Sequence, residues 1–320
     1  MYKEVKKMPK ICVLIPCYNE EQTILSVIDD FRVELPDADI FVCDNNSNDK
    51  TYETAVSALS SEFVLREPRQ GKGNAVRTMF QDVDADIYVL VDGDDTYPAS
   101  QVHDLIKPVI ENQADVVIGD RLSNLTYASE NKRKFHNFGN ALVKNTVNIL
   151  FKSNLKDIMT GYRVFSRFFV KTFPLLSKGF EIETEMTIFA LFYNYKVKQV
   201  PIIYRDRPEG SESKLNTFTD GFKVLKIIGS LFKDYRPLLF FGTASLLFLI
   251  MGILVGIPVI VEYVQHAYIY AIPSAILASS LFVMALLSFS CGLILDTTAK
   301  NQKRVHEQMV LLYKFLGRNN

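Results

Sequence analysis

Two stretches, Leu238 to Val261 and Tyr268 to Leu295, contain no charged residue. Each is longer than the roughly 20 apolar residues needed to cross the hydrocarbon core of a bilayer. In lipid, backbone N–H and C=O groups must bond within their own segment, so each run is expected to form one helix. A pair of buried core helices is the soluble alternative, which runs of this length disfavour. The connector, Glu262 to Ala267, has no Lys or Arg. Lys233 and Arg236 precede the first run, and Lys300, Lys303 and Arg304 follow the second. That bias places both flanks in the cytoplasm and the connector outside. The N-terminal MYKEVKKMPK lacks the apolar core of a signal peptide, so the preceding domain is expected to stay cytosolic.

The region before the hairpin reads as a different kind of chain. Strand-like segments at Lys10–Pro16, Ile40–Cys43, Phe63–Arg66, Ile87–Val91 and Asp115–Gly119 alternate with helical spacing at Glu21–Leu35, Lys50–Ser60, Gly71–Gln81 and Ser100–Glu111. This alternation predicts an α/β fold with a mostly parallel, doubly wound sheet. The most informative segment is IYVLVDGDDTYP, Ile87 to Pro98, where an apolar strand stops at Asp92, Gly93, Asp94 and Asp95. Unpaired carboxylates are costly to bury, and open α/β sheets bind ligands at the carboxyl ends of their strands. Such a cluster of oxygens suits Mg²⁺ or Mn²⁺, which bridge to substrate phosphates. A solvated turn is the plainer reading. Asp44 and Asp120 end two further strands in the same way.

Further along, a polar loop at Leu122–Lys134 precedes a helix at Phe135–Phe151, a strand at Val164–Ser166, a helix at Glu181–Tyr195 and a strand at Val197–Tyr204. Phe218 to Tyr235 sets apolar residues against Lys223, Lys226 and Lys233, the pattern of a basic helix lying in a membrane surface. Val305 to Leu316 reads as a last, cytoplasmic helix. The resulting division is 1–215 for the α/β domain, 216–236 for the amphipathic region, 237–296 for the hairpin and 297–320 for the tail.

Lys plus Arg and Asp plus Glu each number 36, which points to no nucleic-acid partner. Cys12, Cys17, Cys43 and Cys291 have no metal-ligand spacing, consistent with reduced thiols and no disulfides. There is no GxxxxGK[ST], no GxGxxG and no GxSxG.

The succession Pro16-Cys17-Tyr18-Asn19-Glu20, Asp44, Gly71-Lys72-Gly73 and Asp92-Gly93-Asp94 resembles a family 2 glycosyltransferase of the GT-A fold. Asp157 with Gly161-Tyr162-Arg163, then Arg207 through Gly210 to Ser213-Lys214-Leu215, is similar to the dolichyl-phosphate mannose synthase and bacterial polyprenyl-phosphate glycosyltransferase branch. The two spans resemble the bacterial members with a transmembrane hairpin. The resemblance implies a multi-pass cell-membrane enzyme with its catalytic domain and both termini in the cytoplasm. It implies inverting transfer of a hexose from a nucleotide sugar, UDP-glucose first, to the phosphate of a membrane polyprenol. UDP-N-acetylglucosamine, UDP-galactose and GDP-mannose are alternative donors.

The implied site is specific. Asp92 and Asp94 hold Mg²⁺ or Mn²⁺, and Asp94 and Asp157 are catalytic. Pro16, Tyr18, Glu20, Asp44, Lys72, Asp92 and Gly93 bind the donor. Arg121, Arg133, Arg163, Arg207, Ser213 and Lys214 bind the acceptor phosphate, because cations and guanidinium forks grip phosphate. Asp157 holds the family's base position, although a phosphate monoester is already largely dianionic at neutral pH. Glu183 and Glu185 are either partners for the arginines or helix-surface charge. A homo-oligomer through the transmembrane region stays open. The competing classes are a polysaccharide synthase, which would have more spans and a QxxRW motif, and a non-catalytic sugar-nucleotide sensor.

Overall fold

Strand β1 (Ile11–Cys17) is apolar and buried along nearly its whole length, as a central strand covered on both faces must be. It pairs in parallel with β2 (Asp39–Asp44) on one side and β4 (Ile87–Leu90) on the other. β3 (Val64–Arg66) extends the sheet beyond β2. The computed structural model describes residues 8–123, 134–179, 181–205, 229–230 and 232–316. By contact the chain forms two compact units, Met1–Thr217 and Phe218–Asn320.

The first unit is built on seven strands in the order β3-β2-β1-β4-β6-β5-β7, with β5 at Val116–Asp120, β6 at Arg163–Ser166 and β7 at Val197–Pro201. Helices α1 (Ile24–Glu34), α2 (Thr51–Ala58), α3 (Lys72–Asp82) and α4 (Val102–Ile110) alternate with the first five strands. They are followed by α5 (Lys134–Phe151), a short α6 (Arg167–Thr172) and α7 (Ile182–Phe192). Ile24, Val27, Ile28 and Phe31 of α1 and Val102, Leu105, Ile106 and Val109 of α4 supply one apolar layer over β1 and β4.

The exception to the parallel pattern positions the site. β6 runs antiparallel to both β4 and β5, with Arg163 opposite Leu90 and Ile118. Its amino end therefore lies where β4 and β5 have their carboxyl ends. The loop leading into β6, which carries Asp157 to Tyr162, is brought beside the Asp92–Asp95 turn and Asp120. β7 is parallel to β5, so the segment after it reaches the same edge, where the Arg205 N–H donates to the Thr96 carbonyl at 2.9 Å.

In the second unit, α8 (Pro237–His266) and α9 (Ile272–Leu316) are both long and apolar enough to cross a membrane. The first run is thus a helix extending through the expected connector, and the turn is at Ala267, whose φ of 48° is left-handed. The Glu262 carboxylate reaches across and accepts from the N–H groups of Tyr270 and Ala271, each at 3.2 Å. This satisfies donors next to the start of α9. The tail is not a separate helix but the end of the 45-residue α9. At 1.5 Å per residue that helix is ~68 Å long, about twice the hydrocarbon core, so its charged half extends beyond an apolar slab. Gly252 and Gly256 let the helices approach, with Ala278 beside both, and the Ser245 hydroxyl donates to the Ala285 carbonyl at 2.7 Å. Most of the expected amphipathic helix lies outside the described residues; 229–230 and 232–235 are helical.

Candidate active site

Two loops are joined before any ligand is considered. Those after β1 and β2 exchange backbone-to-side-chain bonds: Asn19 N–H to Ser47 Oγ at 3.0 Å, Asn48 N–H to Asn19 Oδ1 at 2.8 Å, and Glu20 N–H to Thr51 Oγ1 at 2.8 Å. Asn19 adopts the left-handed conformation, φ 53°, that asparagine tolerates. Pro16 is buried in β1, whereas Tyr18 and Glu20 are partly exposed. Asp44 is buried, and its Oδ1 accepts from the Ser47 N–H, three residues on, at 3.3 Å. Asn45, by sequence an ordinary turn residue, ties this loop to the next. Its amide donates to the carbonyls of Glu67 and Arg69, at 3.0 and 2.8 Å, and its Oδ1 accepts from Gly71 N–H at 2.6 Å. The Arg69 side chain lies on Glu67, with Thr78 and the Arg69 N–H as further donors, and together they hold the Glu67 carboxyl at about 2.

The turn after β4 is crowded. The Thr23 hydroxyl donates to the Gly93 carbonyl at 2.6 Å. A Cβ at Gly93 would press on the Glu20 carboxylate and the buried Cys17 sulfur, so a side chain between the two acids would force one of them to shift. Asp94 is buried, and its Oδ1 accepts from the Thr96 hydroxyl at 2.6 Å and the Thr96 N–H at 3.3 Å. Asp92 is more open: Lys72 Nζ lies 2.5 Å from its Oδ1 and 2.5 Å from Glu183 Oε1. Burial would lower the Lys72 ammonium's pKa, but the two carboxylates raise it well above the ordinary lysine value. Gly161 sits against Asp92 so closely that any Cβ there would strike the carboxylate. Asp95, left-handed at φ 56°, has its pKa raised by burial.

At the far side of the edge, Asp157 and Arg121 form a fork. Nε donates to Oδ2 at 2.7 Å and Nη2 to Oδ1 at 3.1 Å. The N–H groups of Met159 and Arg121 also donate to this carboxylate, at 3.1 and 3.3 Å. Burial pushes the Asp157 carboxyl up, but Arg121 and these donors outweigh it and leave it below the usual carboxylate range. The Arg121 guanidinium also lies 5.6 Å from the Tyr204 ring centroid. Tyr97, quoted in the strand-end segment but given no role, joins the pieces: its hydroxyl meets Arg121 Nη1 at 3.4 Å, Gly161 N–H at 3.2 Å and Thr160 Oγ1 at 3.4 Å.

Arg163 is placed otherwise than expected of a phosphate ligand. It is 0 % exposed and points into the protein, where Nη2 donates to the Ile158 carbonyl at 2.7 Å, Nε to the Thr160 carbonyl at 2.9 Å and Nη1 to Thr187 Oγ1 at 2.9 Å. Burial lowers its pKa to about 10, despite Glu183 and Asp157 nearby. It braces the loop that carries Asp157, because a strand's first residue can face either side of the sheet and this one faces in. Arg133, Arg207, Ser213 and Lys214 lie outside the described residues. Among the described residues, no three His, Cys, Asp or Glu side chains gather tightly enough to hold a metal unaided. The chemistry of the donor set nevertheless suits a hard cation that takes one or two carboxylates from the protein and the rest from substrate phosphates and water.

The model of the family described as Glycosyl transferase family 2 matches residues 12–173. Over 301 residues the chain is 32 % identical to Glycosyltransferase AglJ of Haloferax volcanii, spanning 93 % of this chain and 97 % of that protein. It is 31 % identical to the Dolichyl-phosphate hexose transferase of the same organism, over 68 % of this chain and 92 % of that one. It is 27 % identical to the Undecaprenyl-phosphate mannosyltransferase of Micrococcus luteus, again over 68 % and 92 %. The fold is similar to that of glucosyl-3-phosphoglycerate synthase from Mycobacterium tuberculosis, solved with Mn²⁺ and UDP-glucose, at a TM-score of 0.52 and 21 % identity over 71 % of this chain and 79 % of that one. The first unit is thus a GT-A-like mixed sheet with helices, as the motifs implied, and the chain belongs to glycosyl transferase family 2.

Proposed function

We propose that this chain transfers a hexose from a nucleotide sugar to the phosphate of a membrane polyprenol, with inversion at the anomeric carbon. The observation that carries the reading is the shared edge: the acid-bearing ends of β1, β2, β4 and β5 and the loop before β6 meet there, with Arg121 locked on Asp157. Relatives named as transferases onto dolichyl and undecaprenyl phosphate support a lipid phosphate as acceptor. The helices α8 and α9 support a bilayer location, with the connector outside and the first unit in the cytoplasm.

In the reaction, an acceptor phosphate oxygen forms the new bond to the anomeric carbon. The bond to the nucleoside diphosphate breaks, and its electron pair leaves with the diphosphate. Asp94 and Asp92 fit a bound Mg²⁺ or Mn²⁺, which would neutralise charge on the departing diphosphate. Pro16, Tyr18, Glu20, Asp44, Lys72 and Gly93 form the donor side. Arg121 is the acceptor cation best supported by its position, and Arg133, Arg207, Ser213 and Lys214 remain assigned to that role. Asp157 serves to aim Arg121 rather than to take a proton. Its carboxylate already accepts from four N–H groups, and the incoming phosphate, with a second pKa of about 6, arrives mostly deprotonated.

UDP-glucose is the first donor proposed, with UDP-N-acetylglucosamine and UDP-galactose next and GDP-mannose as the outside choice. Membranes holding the protein, given polyprenyl phosphate and each nucleotide sugar in turn, are expected to yield a polyprenyl-phosphate-hexose from UDP-glucose, identified by mass. Product from GDP-mannose alone would overturn the donor assignment.

A further inference from the structure

Glu183 is a buried acid on the first turn of α7, its side chain only 5 % exposed. A carboxylate that deep is costly unless paired. Its ion partner is Lys72, which opens α3 and also meets Asp92 at the sheet edge. The ammonium thus bridges two acids, Glu183 within the protein and Asp92 at the sheet edge. An ammonium has three N–H donors, and these two carboxylates account for two.

The surroundings hold this bridge in place. Residues 175–179 cross directly over the first turn of α3: the carbonyls of Lys178 and Ser177 occupy the space where a Cβ of Gly71 or Gly73 would stand. Gly71 also has φ 128°, which favours glycine. The crossing segment is fastened from α7 by Glu185, which accepts from the Ser177 N–H at 2.9 Å and the Leu176 N–H at 3.3 Å. Arg77 of α3 fastens it from below through the Leu175 carbonyl, at 2.5 and 3.0 Å. One turn of α7 therefore contributes two glutamates to one end: Glu185 keeps the backbone over α3, and Glu183 keeps the Lys72 side chain extended towards Asp92.

We propose that Glu183 is a positioning residue of the donor site, holding Lys72 against Asp92 so that the ammonium's remaining N–H serves the diphosphate of the nucleotide sugar. This rests on the reading of the edge as a nucleotide-sugar site and adds how its cation is placed. Glu183 touches no substrate and acts through Lys72. Loss of its carboxylate leaves Lys72 a single acid partner, free to swing about it.

The test uses the full chain in lipid nanodiscs, with UDP and GDP as calorimetric probes in the presence of Mn²⁺ and separate KM values for donor and polyprenyl phosphate. Glu183→Gln is expected to weaken nucleoside diphosphate binding and raise donor KM by about 10–100-fold, the usual effect of losing an outer partner of a ligand site. The lipid KM should stay within about twofold. Lys72→Met should show the same pattern, and the double variant should be no weaker than Lys72→Met alone, since one residue acts through the other. Glu183→Asp keeps the charge and is expected to recover part of the loss, and it carries the comparison if the Gln variant fails to fold. Unchanged nucleotide binding in both Glu183 variants, equal weakening of donor and lipid, or additive effects in the double variant would overturn the role. Wild-type protein that binds UDP or GDP but makes no lipid product would instead count against the acceptor reading, while the binding contrast would still judge Glu183.

Discussion

Asp94→Asn is expected to lower turnover by about 10²–10³-fold while leaving the protein folded, the scale seen when one preorganised electrostatic group is removed from a transition state. The substitution isolates charge from shape. Asparagine keeps an Oδ1 that can accept from the Thr96 hydroxyl and N–H, so the turn after β4 retains its bonds. What disappears is a negative charge at the place where a divalent cation and a diphosphate would have to be balanced. Thermal unfolding should therefore match wild type, and excess chelator should silence wild-type transfer. An Asp94→Asn variant with near-normal turnover, or wild-type activity that persists in chelator, would remove the metal assignment.

Arg163→Ala is expected to fail by unfolding, not by loss of lipid affinity. The guanidinium is the donor to two buried carbonyls, of Ile158 and Thr160, and to the Thr187 hydroxyl. Truncation strands these acceptors, empties the volume of one of the largest fully buried side chains, and leaves Asp157 and Glu183 with one less cation nearby. Stranding a buried acceptor costs about 1–3 kcal/mol, and for these three the expected total is about 3–5 kcal/mol once the site relaxes. In a unit of this size that lowers the melting temperature by roughly 6–20 °C. Arg121→Lys, by contrast, keeps a cation beside the buried Asp157 carboxylate while losing the guanidinium fork, and should mainly raise the KM for polyprenyl phosphate. If Arg163→Ala melted within about 2 °C of wild type and lost lipid affinity alone, the residue would be a phosphate ligand after all.

Arg163 also shows where reading a sequence stops. Its place after Gly161-Tyr162 matched a ligand motif, and nothing local says which side of a four-residue strand its first side chain takes. That depends on β6 being inserted antiparallel between β4 and β5, a pairing between residues far apart in the chain. The acid-ended strands were legible because an apolar run halting at Asp needs only adjacent residues, as at Asp44, Asp92 and Asp120. The roles of Asn45, Tyr97 and Glu183 were not, since each joins segments separated by many residues. Helix α6 is six residues long, too short to show a period, although Ser166 before it carried a usable sign: its hydroxyl caps the Phe169 N–H at 3.2 Å. The two apolar runs are helices, as their length requires, but the turn lies later than the charge pattern implies, because Glu262 looks like a connector acid and is helical.

The central claim is that the sugar alone moves, onto a lipid phosphate. It is tested most directly with a donor labelled twice, ¹⁴C in the hexose and ³²P in the β-phosphate of the nucleotide sugar, given to the full chain with polyprenyl phosphate. Attack on the anomeric carbon predicts a lipid product carrying ¹⁴C only, with all ³²P left in the nucleoside diphosphate. A lipid carrying both labels would mean that a sugar phosphate had been transferred, and would contradict the account.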